Sequence, residues 1–211
     1  MELLVFVAEI VGTVAFAISG ALASIEKRLD LFGMMVVGTV TAVGGGITRD
    51  VIIGVTPPAT FTKPVYTLIA AATCLALFIF LKSAGHKINL KQETLEAIVN
   101  IIDAIGLAAF VVVGVDVSLS LGYTNAFFAI FTGTITGVGG GMLRDIFLGE
   151  IPLILYKRVY AVTAILGALM HYYLCMFDCP RYISIPLCFI LIITIRFCAA
   201  KYRWKLPKID P

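Results

Sequence analysis

The residues of this chain that could do chemistry gather in one motif that occurs twice. Gly44-Gly45-Gly46-Ile47-Thr48-Arg49-Asp50 and Gly139-Gly140-Gly141-Met142-Leu143-Arg144-Asp145 share a glycine triplet, a two-residue spacer and an adjacent arginine and aspartate. Both copies lie in apolar surroundings. A charged side chain at mid-bilayer costs roughly 2.5–3.5 kcal/mol on insertion scales, so such groups face a bundle interior or a cavity, or sit near an interface. Each glycine costs on the order of 1 kcal/mol relative to alanine in a helix. Two gains can offset that cost in a membrane: close helix approach, or an interrupted helix whose freed backbone groups line a wet cavity. The charges that follow immediately favour an interruption beside a pore, with tight packing as the alternative.

Adjacent residues on a helix do not face each other, so Arg49 and Arg144 are expected to find partners outside their own motifs. At a rise of about 1.5 Å per residue, Glu9 lies roughly 9 Å below the outer end of the first apolar segment and Arg49 about 27 Å above the inner end of the second. Those depths are similar, and the same reasoning brings Asp103 to Arg144 in the second copy. The expectation is two acid–arginine clusters, one toward each mouth of a path, with Asp50 and Asp145 beside them. Thr39, Thr41, Thr134 and Thr136 precede the glycines, and their hydroxyls can replace part of an ion's hydration shell or bond their own helix. Residues two apart point in opposing directions, so one of each pair at most reaches a central path; Thr41 and Thr136 are the candidates. Lys63 and Lys157, at matching positions, either snorkel to headgroups or bias a pore electrostatically.

The elements that position these residues are apolar throughout. Of 211 residues, 60% are hydrophobic and 14% charged, and the mean hydropathy is +1.03, far outside the range of a soluble core of that size. The chain therefore reads as a single all-α membrane domain over residues 1–211. Seven apolar segments fall at about 3–24, 31–53, 64–82, 95–117, 124–148, 158–176 and 183–200, each near the length a spanning helix needs. Residues 8–66 align on 102–160, including Glu9 with Asp103, Phe16 with Phe110 and Gly20 with Gly114. This gives one repeat over about 3–82, a second over about 95–176 and an extra helix at 183–200. Three spans per unit require the second copy to enter from the opposite side, an inverted arrangement found in many transporters and some channels.

Charge placement sets the orientation. Alternating links put Lys27, Arg28, Lys82, Lys87, Lys91, Lys157, Arg158, Lys201, Arg203, Lys205 and Lys208 on one side, against Lys63 and Arg181 on the other. The basic side is cytoplasmic, so the amino terminus is outside and the carboxyl terminus inside a cell (inner) membrane crossed several times. The first helix has no basic residue before it and belongs to the repeat, so it is kept as a span although Ala21-Leu22-Ala23 resembles a cleavage site. Lys201-Tyr202-Arg203-Trp204-Lys205 reads as an interfacial anchor.

Other chemistry is poorly supplied. The glycine run lacks the Gly-Lys-Ser/Thr ending of a phosphate loop, no Ser/His/Asp order stands out, and no enzyme is expected. The charge pattern gives no support for nucleic acid. His171, Cys175 and Cys179, with Asp178 nearby, could be imagined as a metal site, but four-residue spacing is equally what one helical face produces. No metal centre and no cofactor is expected.

The paired Gly-Gly-Gly-x-x-Arg-Asp elements, Gly44 to Asp50 and Gly139 to Asp145, in the second and fifth of seven helices, resemble the prokaryotic branch of the trimeric intracellular cation (TRIC) channels, long grouped by a duplicated "glycine transporter" domain. The resemblance implies a homotrimer whose subunits each hold a potassium-permeable pore, with Gly44, Gly45, Gly46, Gly139, Gly140 and Gly141 as kinks around it. Monovalent cations and the lipid bilayer are then the partners, with phospholipid between subunits. The lysine-glutamate-valine segment of animal members has no match here. Inverted repeats and broken helices serve two functions equally, a cation channel or a secondary transporter of a small solute such as glycine.

Overall fold

The computed structural model describes residues 2–84, 92–156, 159–202 and 204; Lys157 lies outside them. Among the described residues the helices are α1 Glu2–Glu26, α2 Leu31–Ile53, α3 Ala59–Thr62, α4 Val65–Ala84, α5 Gln92–Ser120, α6 Ala126–Phe147, α7 Leu153–Tyr156, α8 Tyr160–Met176 and α9 Arg181–Lys201. The protein is an all-helical membrane protein. Six of these helices are long and apolar enough to cross a bilayer. The apolar α8 has 17 residues, a length of about 25 Å against a hydrocarbon core of about 30 Å. The short α3 and α7 fall in links that the apolar pattern leaves as loops.

The two repeats begin their motif helices in the same way. Asp30 caps α2 by accepting the Gly33 amide at 2.8 Å, and Asn125 caps α6 by accepting the Phe128 amide at 3.1 Å. Each side chain satisfies one of the amides that a helix start leaves without a partner. At the other end of α2, Gly54 adopts a left-handed conformation with φ of 84°, which glycine reaches without a Cβ clash.

Helices α1, α2, α5 and α6 form the centre. Helix α4 packs on α1 and α2, α8 packs on α5 and α6, and α9 lies against α5 and α8. Equivalent helices cross in opposite directions. Gly12 of α1 meets Phe110 of α5, and Gly106 of α5 meets Phe16 of α1. Gly45 of α2 lies under the Thr136 carbonyl of α6, while Gly140 of α6 lies under the Thr41 carbonyl of α2. An approximate two-fold therefore exchanges the halves, residue for equivalent residue. Contacts at the ends agree with this alternation. The Tyr123 hydroxyl reaches the Ile53 carbonyl at 3.4 Å and the Tyr172 hydroxyl donates to Thr124 at 2.7 Å, which joins the ends of α2 and α8 to the α5–α6 turn. Leu4 lies on a cavity shared with Arg181 at the same end. At the opposite end, Lys27 pairs with Glu150.

The interrupted helix expected from the glycine triplets is not found. Both α2 and α6 are α-helical from end to end through Gly44–Gly46 and Gly139–Gly141. Close approach is the reason for the glycines, because a Cβ on Gly45 or Gly140 would fall inside the contact radius of a carbonyl on the opposing helix. In a membrane, where lipid tails are as apolar as leucine, such small-residue contacts carry helix association.

Gly45→Ala is accordingly expected to destabilise the detergent-solubilised protein by about 1–3 kcal/mol, the usual range for overpacking, whereas Gly46→Ala should be neutral or stabilising. The nearest foreign atom to a Cβ at Gly46 is an Arg49 nitrogen at 3.9 Å. Thermal unfolding followed by circular dichroism checks the order, and equal midpoints would contradict it.

Candidate permeation site

Each motif arginine first bonds the aspartate beside it, contrary to the expectation that neighbours do not meet. Arg49 donates to Asp50 Oδ1 from Nε at 2.9 Å and from Nη2 at 2.7 Å, and Arg144 Nε donates to Asp145 Oδ1 at 2.9 Å. The long guanidinium stem bends back across the helix surface, a freedom that spacing rules for Cβ positions ignore. The second carboxylate oxygen has another task. Asp50 Oδ2 accepts the Ala59 amide that opens α3 at 2.8 Å, and Asp145 Oδ2 accepts the Leu153 amide that opens α7 at 2.8 Å. Each motif aspartate thus fastens the following link to its own arginine.

The expected pairing of Asp103 with Arg144 is present. Arg144 Nη1 donates to Asp103 Oδ1 at 2.9 Å and to Ser19 Oγ at 2.7 Å. Asp103 is fully buried and Arg144 is 2% exposed, so these charges are matched inside the protein, as buried ions must be. Two further groups come from outside the motif helices. Arg196 of α9 donates to Asp103 Oδ2 at 3.3 Å and lies 4.5 Å from the centre of the Tyr160 ring, within cation–π range. The Tyr160 hydroxyl in turn would be 2.9 Å from a Cβ on Gly141, so Gly141 makes room for this cluster.

The first repeat is arranged differently. Glu9 accepts the hydroxyl of Tyr66, the equivalent of Tyr160, and Glu9, Arg49 and Tyr66 share the wall of a cavity of about 50 Å³ with Thr13, Gly46 and Phe110. Glu9 and Arg49 line one cavity, while Arg49 itself is held by Asp50. Val113 also lines this cavity; it is the repeat equivalent of Ser19, so the hydroxyl that grips Arg144 has no counterpart here. Phe16 lies between Glu9 and Ser19 along α1, and Phe110 between Asp103 and Val113 along α5; the two rings form a tilted pair with centres 5.2 Å apart.

Thr41 and Thr136 are buried, yet their hydroxyls bond their own helices, to Val37 at 2.6 Å and Thr132 at 2.6 Å. They sit where Gly20 and Gly114 let α1 and α5 close in, and they serve packing in this conformation. Thr134 bonds Ile130 at 2.8 Å in the same way. Lys63 ends α3 in an exposed position.

Sequence reasoning missed Tyr66, Tyr160, Ser19 and Arg196. The tyrosines were visible as aligned positions in the repeat, and Arg196 as a lone charge within an apolar helix. It also missed Asp116, which draws His171 into a third buried group: Asp116 Oδ2 lies 3.2 Å from His171 Nε2 and Asp116 Oδ1 lies 3.0 Å from Arg181 Nε. Asp116 comes from α5, remote in sequence from the others.

The "Glycine transporter" family profile matches twice, over residues 6–82 and 100–176. The chain is 34% identical over 208 residues to the inner membrane protein YadS of Escherichia coli K12, covering 97% of this chain and 96% of that one. It is 34% identical over 198 residues to the membrane protein YvgT of Bacillus subtilis, covering 94% and 93%. Among solved structures, a TRIC cation channel superposes with a TM-score of 0.81 at 34% identity over 97% of both chains. A prokaryotic TRIC channel superposes with 0.86 at 30% identity, covering 98% of this chain and all of that one, and the orthologue from Rhodobacter sphaeroides gives 0.84 at 29% identity, covering 95% and 99%. The likeness spans nearly the full length of each of these relatives, and the chain belongs to the prokaryotic TRIC family of membrane proteins with a duplicated glycine-transporter domain.

Proposed function

We propose that this chain is a potassium-permeable channel for monovalent cations, a homotrimer in which each subunit holds its own path. The observation that carries the reading is the pair of acid-bearing clusters on either side of the Phe16–Phe110 pair. A cation would approach one cluster at Glu9, pass between α1, α2, α5 and α6, and leave past Asp103. Glu9, partly exposed at one end, would raise the local concentration of cations there, and Asp103 would do so at the other end once released from Arg144 and Arg196. The conformation described is a closed one on this reading, with Asp103 held by Arg144 and Arg196. Similarity to TRIC cation channels supports the same activity, and ion channels are not enzymes.

The proposal includes seven spans, with α8 crossing despite its length, the amino terminus outside and the carboxyl terminus cytoplasmic, as the distribution of lysine and arginine supports. It places the protein in the inner membrane, where YadS is named as residing. The exposed apolar faces of α4 and α9, bearing Leu68, Phe80, Ile190 and Phe197, would meet lipid or neighbouring subunits, with phospholipid between them. Glycine transport, the competing reading, needs a carboxylate-binding helix end at mid-membrane. Continuous α2 and α6 supply none.

Purified protein reconstituted into planar bilayers is expected to give ohmic unitary potassium currents; saturable glycine uptake without unitary currents would overturn the reading. In the same bilayers Arg196→Ala, which frees one Asp103 oxygen, is expected to raise open probability severalfold. Unchanged gating would remove α9 from the closing mechanism.

A further inference from the structure

The group around Asp116 lies apart from the proposed path, at the corner where α5 and α8 end and α9 begins. We propose that Asp116, His171 and Cys175 bind one divalent transition-metal ion of the zinc class. Their ligating atoms all lie within 4.8 Å of one another. Ligand bonds of about 2.0–2.3 Å in a tetrahedral site place ligand atoms about 3.3–3.8 Å apart. Asp116 Oδ2 and His171 Nε2 are already separated by 3.2 Å, and Cys175 Sγ reaches the other oxygen of the same carboxylate, Oδ1, at 3.9 Å. His171 and Cys175 stand four residues apart on α8, so both project from one face.

A second observation points to a ligand. His171 is fully buried, and among the described residues neither ring nitrogen finds a hydrogen-bond partner; nor does Asp116 Oδ2, despite its proximity to the imidazole. Buried polar groups are ordinarily satisfied, and a metal ion bonded to Nε2 and Oδ2 would satisfy both atoms at once. Arg181, 3.0 Å from Asp116 Oδ1, would remain as an outer partner that orients the ligating carboxylate. The adjoining cavity of about 400 Å³, lined by Cys175, Asp178, Cys179, Arg181 and Tyr182, gives access from solvent and room for a water as fourth ligand. A thiolate, an imidazole and a carboxylate suit zinc or cobalt rather than potassium or magnesium. On binding, the Cys175 thiol loses its proton to solvent as the sulfur–metal bond forms, and no electron is transferred. The site stands independently of the channel reading.

The test is titration of EDTA-treated, reduced full-length protein in detergent with cobalt(II). The expected result is one cobalt per chain, with a sulfur-to-cobalt charge-transfer band in the near ultraviolet that zinc abolishes. Cys175→Ser should lose the band and Cys179→Ser should keep it. His171→Ala should weaken cobalt binding at least about tenfold, since even outer-shell losses cost that much. Matching gel-filtration and circular-dichroism profiles establish that the variants are folded. Absence of the band in the parent protein, its persistence in Cys175→Ser, or its loss in Cys179→Ser would overturn the proposal.

Discussion

The approach of α2 to α6 is the contact on which the rest of the structure depends. Gly45 and Gly140 each lie under a threonine carbonyl of the opposing helix, and no other residue type fits there. Because the glycines are repeat equivalents, the contact is made twice about one approximate two-fold. Its closeness brings α1 and α5 together as well, since Gly20 and Gly114 pack against the same turns that bear Thr41 and Thr136. Backbone approaches of this kind gain dispersion and weak Cα–H···O contacts, each small and together sufficient where no hydrophobic drive operates between helices.

Charge follows from that geometry. Once α2 and α6 cross at their glycines, Arg49 and Arg144 emerge on opposite sides of the crossing, one residue before the aspartates that fasten α3 and α7. Symmetry then ends. Ser19 and Arg196 complete a closed network around Asp103 and Arg144, whereas Val113 stands where a second serine would be and a cavity remains beside Glu9. On the proposed channel reading, these unequal ends are one closed and one receptive mouth.

Much of this was legible in the residues. The positions of the long helices and the duplication followed from apolar runs and aligned glycines, and the partnership of Asp103 with Arg144 followed from depth alone. Two readings failed for physical reasons. Glycine triplets were read as breaks because glycine weakens isolated helices, but neighbouring backbone compensates in a packed membrane bundle. Adjacent Arg and Asp were read as unable to meet because Cβ directions diverge, while the arginine stem is long enough to return. Ser19, Arg196 and Asp116 lay beyond reach, since their partners come from other helices and carry no spacing pattern.

The central claim is that a cation path opens at Glu9. Its most direct test is the unitary potassium conductance of Glu9→Gln compared with the parent chain at low and high salt. A carboxylate at a mouth concentrates cations by an electrostatic effect that salt screens, with a Debye length of about 30 Å at 0.01 M and about 3 Å at 1 M. The account predicts a conductance clearly reduced at low salt and nearly restored at high salt. Equal conductance of the two proteins at both concentrations would contradict it.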